Sequence, residues 1–375
     1  MTQEFIPFDL ERMMSIFEYQ VDYNLSESGV HPLTTQDLIR DTRVIEELLS
    51  TELNYPQTNG TMELRESIAA TYENATADNV IVTTGAAQAN FTTIWTLLEP
   101  GDEILVMLPN YMQIWGIAKN FNLNVNTFYL KEDLDWHIDL DELKKSVSDK
   151  TKLIAVCNPN NPTGHIMTDE ERKTVIELAS KHGAWLLSDE VYSGAERMTE
   201  VKTSSFWNQY ERTLAIGSMS KAYGLPGLRI GWVVAPPSII QDIWARQDYV
   251  TIGASMLANK IATYALQPET RMHLINRTRK YIREGYKNFE AWYKTSPEIF
   301  SCVPPQALAV ALLRYNAPIN STALCEKLIS EASTYVVPGN HFGLDKHLRI
   351  SFGLPKDFLN EGLARIERTV KSVIK

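Results

Sequence analysis

The sequence has few cysteines and no long apolar run. Three cysteines occur in 375 residues, at Cys157, Cys302 and Cys325. An odd number at wide spacing argues against both a disulfide framework and a CxxC metal site. No stretch approaches the ~20 apolar residues of a membrane-spanning helix, and the N-terminus lacks the basic and apolar regions of a signal peptide. We therefore expect reduced thiols and a cytoplasmic location.

The sequence also has fewer basic than acidic residues. Lys and Arg total 36 against 46 Asp and Glu, which gives a net charge of −10. This balance argues against nucleic acid or an anionic membrane as the main partner. The histidines show no metal-ligand spacing, and neither a Gly-rich nucleotide loop nor a GxSxG serine motif occurs. We expect no metal site.

Short apolar runs alternate with helical patterns over the first 250 residues. Six runs lack the polar alternation of half-exposed strands, which indicates strands covered on both faces: they span 79–85, 103–109, 151–158, 184–190, 213–220 and 228–235. One helix is predicted from about Ala86 to Leu98, and another begins at the capping-box pair Thr168 and Glu171 and ends at Gly183. This alternation predicts an α/β domain with a mostly parallel sheet.

Strand signals become fewer after about residue 250. Helical patterns cover 258–294, strand-like runs cover 307–315, 333–339 and 347–353, and a last helix is predicted over 357–375. We therefore expect a smaller α+β domain over 256–375, a large domain over 36–255, and an N-terminal arm over 1–35.

Polar residues follow the predicted strands at their carboxyl ends, where ligands bind in such sheets. Lys221 comes directly after a strand in SMSKAYGLPGLRIGW, and Asp189 ends the apolar strand of LLSDEVYSG. Lysine is rarely buried without a partner, and a buried carboxylate needs one too. Lys221 therefore suits a Schiff-base lysine, and Asp189 suits a cationic ring nitrogen. Ser218 and Arg229 offer a hydroxyl and a forked cation to a phosphate.

Two further segments add donors at the same edge. In NPNNPTG, Asn161 precedes a proline in a turn after a strand, where a cis bond costs little, and its amide and the Tyr192 hydroxyl can both reach one phenolate oxygen. TTGAAQANF is a strand, a tight turn and a helix start. The backbone N–H groups of Ala86 and Ala87 are therefore expected to point at an anion, helped by the helix dipole.

In this order, the motifs SxSKxxGLxGLRxGW, NxNNPTG and DEVY resemble those of the class I/II aminotransferases, which are fold-type I enzymes dependent on pyridoxal phosphate (PLP). The resemblance runs from about residue 54 to 353. It implies a mostly parallel, seven-stranded sheet in the large domain and PLP as the cofactor. It also implies a ping-pong transfer of an amino group from an amino acid to a 2-oxo acid, in a homodimer with shared active sites.

The resemblance also implies roles for individual residues. The catalytic ones are Lys221, which holds PLP as a Schiff base, Asp189 at the pyridinium nitrogen, and Tyr111 in LPNY, which stacks on the ring. The remaining cofactor contacts are Asn161 and Tyr192 at the phenolate oxygen, Ser218, Arg229, Ala86 and Ala87 at the phosphate, and Tyr55, which reaches the phosphate in the neighbouring subunit. The substrate contacts are Arg349 in HLRISFG, which grips the carboxylate, together with Asn161 and Val30.

The segment NLSESGVHPLT departs from the family because it lacks a glycine-rich GxP pattern. SGVH, SKAYGLPGLR and VVPGxxFG instead resemble a subgroup close to capreomycidine synthase, a PLP enzyme that cyclises a guanidino amino acid by elimination and replacement. A PLP-dependent lyase or cyclase for a cationic or thioether amino acid therefore stays open. The resemblance implies that the N-terminal arm over 1–35 covers the substrate site, which makes Glu27 and His31 candidates for the substrate entrance. An acidic Glu27 would favour a cationic substrate.

Other interpretations also stay open. A regulator that binds PLP without turnover usually carries a basic DNA-binding module, and no basic domain flanks this fold. Lys221 has the alternative of a surface position, Asp189 that of a helix N-cap, and Arg349 that of a structural ion pair. Burial and contact partners distinguish these possibilities.

Overall fold

The structure is a computed structural model that describes residues 4–374. Residues 1–3 of the predicted arm and residue 375 of the last predicted helix lie outside this range. The strands are β1 (Tyr23–Asn24), β2 (Val80–Thr84), β3 (Glu103–Leu108), β4 (Asn124–Lys131), β5 (His137–Ile138), β6 (Thr151–Cys157), β7 (Trp185–Asp189), β8 (Thr213–Ser218), β9 (Ile230–Val234), β10 (Phe300–Cys302), β11 (Val310–Tyr315), β12 (Thr334–Tyr335), β13 (Val337–Pro338) and β14 (His347–Ser351).

The helices include one of 26 residues, α11, and several short ones near the N-terminus. They are α1 (Asp9–Phe17), α2 (Thr35–Leu38), α3 (Thr42–Leu49), α4 (Met62–Ala69), α5 (Gly85–Leu97), α6 (Gln113–Asn120), α7 (Leu140–Ser146), α8 (Asp169–His182), α9 (Pro237–Gln247), α10 (Met256–Leu266), α11 (Pro268–Tyr293), α12 (Ser321–Ala332) and α13 (Lys356–Ile374). Within residues 4–374, none of the helices combines the length and the apolar character that a bilayer crossing needs.

The large sheet has the strand order β2-β9-β8-β7-β6-β3-β4-β5. Strands β4, β3, β6, β7 and β8 run parallel, whereas β9 is antiparallel to both of its neighbours, β8 and β2. Because successive side chains alternate between the faces, Ile104 and Val106 of β3 pack with α5 and α6, and Leu105 and Met107 pack with α8 on the other face. This double coverage explains why the strands are continuously apolar.

Each of the six apolar runs contains a strand of this sheet, and the predicted mostly parallel architecture is confirmed. The sheet has eight strands instead of seven, because the two-residue β5 pairs antiparallel with β4 and forms the edge. In the sequence of β4, NVNTFYLK, polar residues interrupt the apolar ones. It therefore lacks the continuous apolar run by which the other strands were found.

A second sheet, with the order β10-β11-β14-β13, is antiparallel and packs against α11 and α13. The N-terminal segment is attached to this part of the chain. β1 pairs in parallel with β12, and the His31 backbone N–H donates to the Gly353 carbonyl at 2.8 Å. The apolar side of α1 packs on Tyr335, Val337 and Phe342. These contacts place the N-terminal segment over the carboxyl edge of the large sheet.

The first turn of α8 is fixed by Glu171. The predicted capping box with Thr168 is present, and Gly183 ends the helix in the left-handed region, with φ of 63°. Glu171 also accepts hydrogen bonds from the Ile138 backbone N–H at 2.7 Å and pairs with His165 at 3.0 Å and His137 at 3.2 Å.

These three side chains bring ligand-type atoms within 4.8 Å of one another, although their spacing in the sequence did not suggest a metal site. Both carboxylate oxygens of Glu171 already accept backbone N–H groups, from Ile138 and Thr168. The group therefore joins β5 to α8. Burial raises the pKa of Glu171, but the hydrogen bond and charge of His165 together with the backbone donors outweigh it and lower the pKa to about 2.

We expect Glu171→Gln to reduce the free energy of unfolding by about 2 kcal/mol at pH 7, because a buried charged hydrogen-bond network is broken. The folded-state pKa lies below the value of about 4.3 expected in the unfolded chain. The wild-type advantage is therefore complete above pH ~5 and lost as the pH falls towards 2. Urea unfolding at pH 7 and pH 3 measures this difference, with the exposed neighbour Glu170→Gln as control. An equal loss at both pH values contradicts the role of the charge.

Candidate active site

A cavity of about 270 Å³ lies at the carboxyl edge of the large sheet. It opens where β6, β7 and β8 end and where α5 begins, and α1 and the chain after β1 form its outer wall. Most of the residues selected from the sequence line it: Ala86, Ala87, Tyr111, Asn161, Asp189, Tyr192, Ser218, Lys221, Arg229 and Arg349. The topology thus brings together side chains from six separate segments of the chain.

Asp189 lies at the end of β7 and is buried. Its Oδ2 accepts a hydrogen bond from Asn90 Nδ2 at 3.2 Å, and its Oδ1 accepts one from the Val191 backbone N–H at 3.3 Å. Burial raises the pKa of Asp189, and the Asn90 and Val191 hydrogen bonds and the charge of Lys221 offset this only in part. The carboxylate therefore has neutral donors but no ion-pair partner among residues 4–374, and a cation beside it would stabilise its charge.

Lys221 lies three residues after the end of β8 and projects into the cavity. Its side chain is 23% exposed, and its Nζ lies 3.9 Å from Glu27 Oε2. This is an amine in a cleft rather than a solvated surface lysine. Asp189 and Lys221 follow adjacent strands, since β7 and β8 pair directly.

The start of α5 forms the third part of the cavity. Gly85 has φ of +76°, and a Cβ at this position would lie 2.3 Å from Arg229 Nη2. Only glycine therefore allows the guanidinium to approach the turn. The first backbone N–H groups of α5, at Ala86 and Ala87, have no partner within the helix, and Ser218 and Arg229 lie at the same end of the cavity. The Ser218 hydroxyl, the Arg229 guanidinium and the N-terminus of α5 are together suited to bind a phosphate.

A hydrogen-bonded chain crosses the other side of the cavity. Asn161 Nδ2 donates to the Tyr192 hydroxyl at 3.0 Å, and that hydroxyl donates to Ser28 Oγ at 2.9 Å. Arg349 Nη1 donates to Asn161 Oδ1 at 3.2 Å, and its Nη2 donates to the Ser26 carbonyl at 2.6 Å. The Asn161–Pro162 peptide bond is cis.

Arg349 is 1% exposed, and its Nε has no hydrogen-bond partner among the described residues. It forms no ion pair with any of residues 4–374 either, so the structural ion pair considered from the sequence is absent there. A buried guanidinium with a free N–H in a cavity is a binding group for a carboxylate.

Tyr111 reaches the cavity from the turn after β3. Its hydroxyl donates to Glu11 of α1, and its ring contacts Phe8 edge-on at a centroid distance of 5.1 Å. Burial raises the pKa of the Tyr111 hydroxyl well above its usual range, and the negative charge of Glu11 adds to this. The ring is therefore held in place from the side of α1.

Three residues singled out from the sequence lie outside the cavity. Tyr55 is 83% exposed and projects away from this chain's own site. Val30 is buried beside Gly224 and Gly353, and His31 is held by its backbone, whose carbonyl accepts from Arg277 Nη2 at 2.6 Å. Of the two entrance candidates, Glu27 lines the cavity and His31 does not.

Several lining residues were not identified from the sequence. Asn90, which contacts Asp189, lies in the second turn of α5 with no motif to mark it. Glu11, Glu18 and Ser28 come from α1 and the N-terminal segment. Cys157 also lines the cavity, and burial raises the pKa of its thiol well above the usual range. A signal for α1 exists only in its amphipathic pattern, which is typical of any surface helix.

Comparisons with known proteins agree with this geometry. The family model for aminotransferase class I and II matches residues 24–366, and the chain belongs to this family. Capreomycidine synthase from Streptomyces vinaceus is 29% identical over 354 residues, which cover 93% of this chain and 90% of the relative. An aspartate aminotransferase from Pyrococcus horikoshii is 28% identical over 330 residues, covering 85% and 83%. A PLP-dependent aminotransferase structure from Streptococcus suis has a TM-score of 0.93, with 27% identity and full coverage of both chains.

The cofactor of this family is PLP, and the residues of the cavity fit it. The buried Asp189, which has no ion-pair partner among the described residues, would bind the protonated ring nitrogen. Arg229, Ser218 and the start of α5 would bind the phosphate, and the Lys221 amine would react with the aldehyde. The buried Asn90 Oδ1 and Arg349 Nε, both without partners among the described residues, are further groups able to bind a ligand.

Proposed function

We propose that the protein is a PLP-dependent aminotransferase, which moves the amino group of an amino acid to a 2-oxo acid by a ping-pong mechanism. The observation that carries this proposal is the convergence, in one cavity, of the Lys221 amine, the buried Asp189 carboxylate and the partly unpaired Arg349 guanidinium. Bound PLP supplies an electron sink that makes the Cα–H bond of an attached amino acid acidic.

Different residues of the cavity bind different parts of the cofactor. Asp189 holds the ring nitrogen protonated and is itself oriented by Asn90. Asn161 and Tyr192 hold the phenolate oxygen, and Tyr111 covers the face of the ring. Ser218, Arg229 and the amides of Ala86 and Ala87 anchor the phosphate at the opposite end.

Lys221 and Arg349 act on the substrate. Arg349 binds the α-carboxylate, and its bond to Asn161 fixes the guanidinium plane relative to the cofactor oxygen. Lys221 would hold the cofactor through its amine and would serve as the general acid–base that takes the Cα proton of the substrate and returns a proton during the transfer.

The experiment is a half-reaction with purified PLP-loaded enzyme and a panel of amino acids. Transamination releases one 2-oxo acid per active site without a second substrate, and turnover continues only after a 2-oxo acid is added. Mass spectrometry of the products measures both steps. Continuous release of ammonia, pyruvate or a cyclised product without any added oxo acid excludes transamination.

A PLP-dependent lyase or cyclase is the second candidate. It is favoured by the similarity to capreomycidine synthase over 93% of the chain, and by the absence of the family's GxP pattern from the N-terminal segment. The same Lys221 and Asp189 would serve elimination or replacement at the β- or γ-carbon. Products from arginine derivatives and cysteine conjugates, identified by mass spectrometry, separate this candidate from the first.

We also propose that the protein acts as a homodimer with shared sites. Two segments carry large apolar side chains that are exposed to solvent. They are α3 and the residues after it, with Ile45, Leu49, Leu53 and Tyr55, and the residues after α9, with Tyr249, Val250 and Ile252. Hydrogen bonds from Trp244 and Gln247 to Thr58 hold the two segments next to each other. A patch of this kind on one face is typical of a subunit interface, and it includes Tyr55, the residue expected to reach the partner's phosphate.

We expect Leu49→Asp to convert the dimer to a monomer, because it places a charge at the centre of an apolar interface. Leu49 is 82% exposed, so the fold of the single chain should be unaffected. Sedimentation velocity measures the mass, and circular dichroism checks the fold. The control is Val201→Asp, which changes an apolar residue of similar exposure outside the patch. Equal masses for wild type and Leu49→Asp contradict an interface at this patch.

A further inference from the structure

One side of α1 faces the cavity with acidic residues. Glu11, Met14 and Ser15 of α1 and Glu18, the residue directly after the helix, all line the cavity, and the pairs 11–14, 11–15, 14–18 and 15–18 have helical spacings of three or four residues. The adjacent side, with Leu10 and Phe17, packs on Tyr335, Val337 and Phe342 and fixes the rotation of the helix. Glu11 and Glu18 therefore belong to the wall of the site.

Glu27 joins them from the segment after β1. Within residues 4–374, neither Glu11 nor Glu18 forms an ion pair, and the only cation near Glu27 is Lys221, at 3.9 Å. The three carboxylates are close enough to affect one another: burial raises the pKa of Glu18, and the charges of Glu27 and Glu11 raise it further. The wall therefore holds three carboxylates whose negative charges repel one another.

The other charges of the cavity are already assigned. Under the proposed function, Lys221, Arg229 and Asp189 serve the cofactor, and Arg349 takes the α-carboxylate through its free N–H. The α-amino group of the substrate is consumed in the chemistry. Glu11, Glu18 and Glu27 then remain without a cation, because the Lys221 amine near Glu27 is either bound to the cofactor or serves as a general base, which is uncharged.

We propose that the amino acid accepted at this site carries a positively charged side chain, which Glu11, Glu18 and Glu27 bind at the outer wall. This inference rests on the proposed function, because it takes the α-carboxylate to lie at Arg349. A cationic group relieves the repulsion between the three carboxylates, a neutral group leaves it, and an acidic group increases it. Selectivity then comes from the N-terminal segment and chemistry from the ends of the strands.

The test compares L-arginine with L-citrulline, which has the same length and shape but a neutral urea in place of the guanidinium. We expect kcat/KM of the PLP-loaded enzyme to be about tenfold or more higher for arginine, as charged hydrogen bonds outweigh neutral ones. L-lysine against L-norleucine is the matched pair for an ammonium group. L-glutamate should be the poorest of the five, and added salt should reduce the arginine preference, because Glu27 is 47% exposed.

Glu18→Gln and Glu27→Gln should each lower the arginine-to-citrulline ratio about threefold, and the double variant should lower it more. Glu326→Gln on α12, an exposed glutamate outside the cavity, should leave the ratio unchanged. A second readout does not need turnover. Calorimetric titration of the PLP-loaded Lys221→Ala protein with arginine and with citrulline gives two dissociation constants, whose ratio should show the same dependence on Glu18 and Glu27.

The outcomes separate the two proposals. If citrulline is bound and converted as well as arginine, or if glutamate is preferred, the charge inference is overturned while the amino-acid chemistry stands. If the arginine preference is present but the Glu18 and Glu27 variants keep it, the assignment to this wall is overturned. If no amino acid of any charge is bound or converted, the proposed function itself is wrong.

Discussion

Lys221→Ala is expected to lower the rate of transamination by at least ~10³-fold, since it removes both the amine that holds the cofactor and the general base. The effect should be confined to chemistry, because the side chain is partly exposed and, within the described residues, pairs only with Glu27. Steady-state rates measure the loss, with the exposed Lys173→Ala as control.

Borohydride gives an independent test of the same residue. Reduction of the PLP-loaded wild type should fix the cofactor covalently, and peptide mass spectrometry should find it on Lys221. The reduced Lys221→Ala protein should release its cofactor on unfolding. A label on another lysine, or full activity in the variant, overturns the assignment.

Asp189→Asn is expected to reduce kcat by about 10²- to 10³-fold, because it removes the buried charge opposite the ring nitrogen while keeping the shape of the side chain. The new amide oxygen can still accept from Asn90 or Val191, which hold Asp189 in place. Steady-state kinetics with saturating PLP measures the effect, and it should appear in kcat more than in KM.

The same substitution should not reduce the stability of the cofactor-free protein. Burial raises the folded-state pKa of Asp189 above its unfolded value, so the folded state binds a proton more tightly. Stability contributed by this group is therefore present at low pH and falls as the pH rises above ~4. At pH 7 the cofactor-free Asp189→Asn protein should be at least as stable as the wild type in urea, and the order should reverse with PLP bound. A large loss of stability without PLP would indicate a structural role instead.

The sheet and its catalytic edge were predictable because their signals are local. Apolar runs covered on both faces mark β6, β7 and β8, and the polar residues at or shortly after their ends, such as Asp189 and Asn161, lie where the topology brings strand ends together. Strand β4 was missed because polar residues interrupt its apolar ones.

The outer wall of the cavity was less predictable. Glu11 lies 100 residues from Tyr111 in the chain, and its place in the site depends on that contact. Nothing in the sequence DLERMMSIF says which side of the helix faces a cavity. Asn90 was missed for a similar reason, because one polar residue inside a helix gives no indication that it contacts Asp189.

The separation between α1 and the strand ends has an evolutionary consequence. The reactive groups lie at the strand ends of the sheet, where a substitution disturbs many neighbours, whereas the acidic wall is formed by Glu11 of α1, Glu18 directly after it and Glu27 after β1. None of these three side chains is buried, so substitutions at them disturb few packed neighbours. Homologues can thus differ in substrate selectivity while they keep the same reactive groups. Exchanging the first 27 residues between homologues is therefore a direct way to change selectivity.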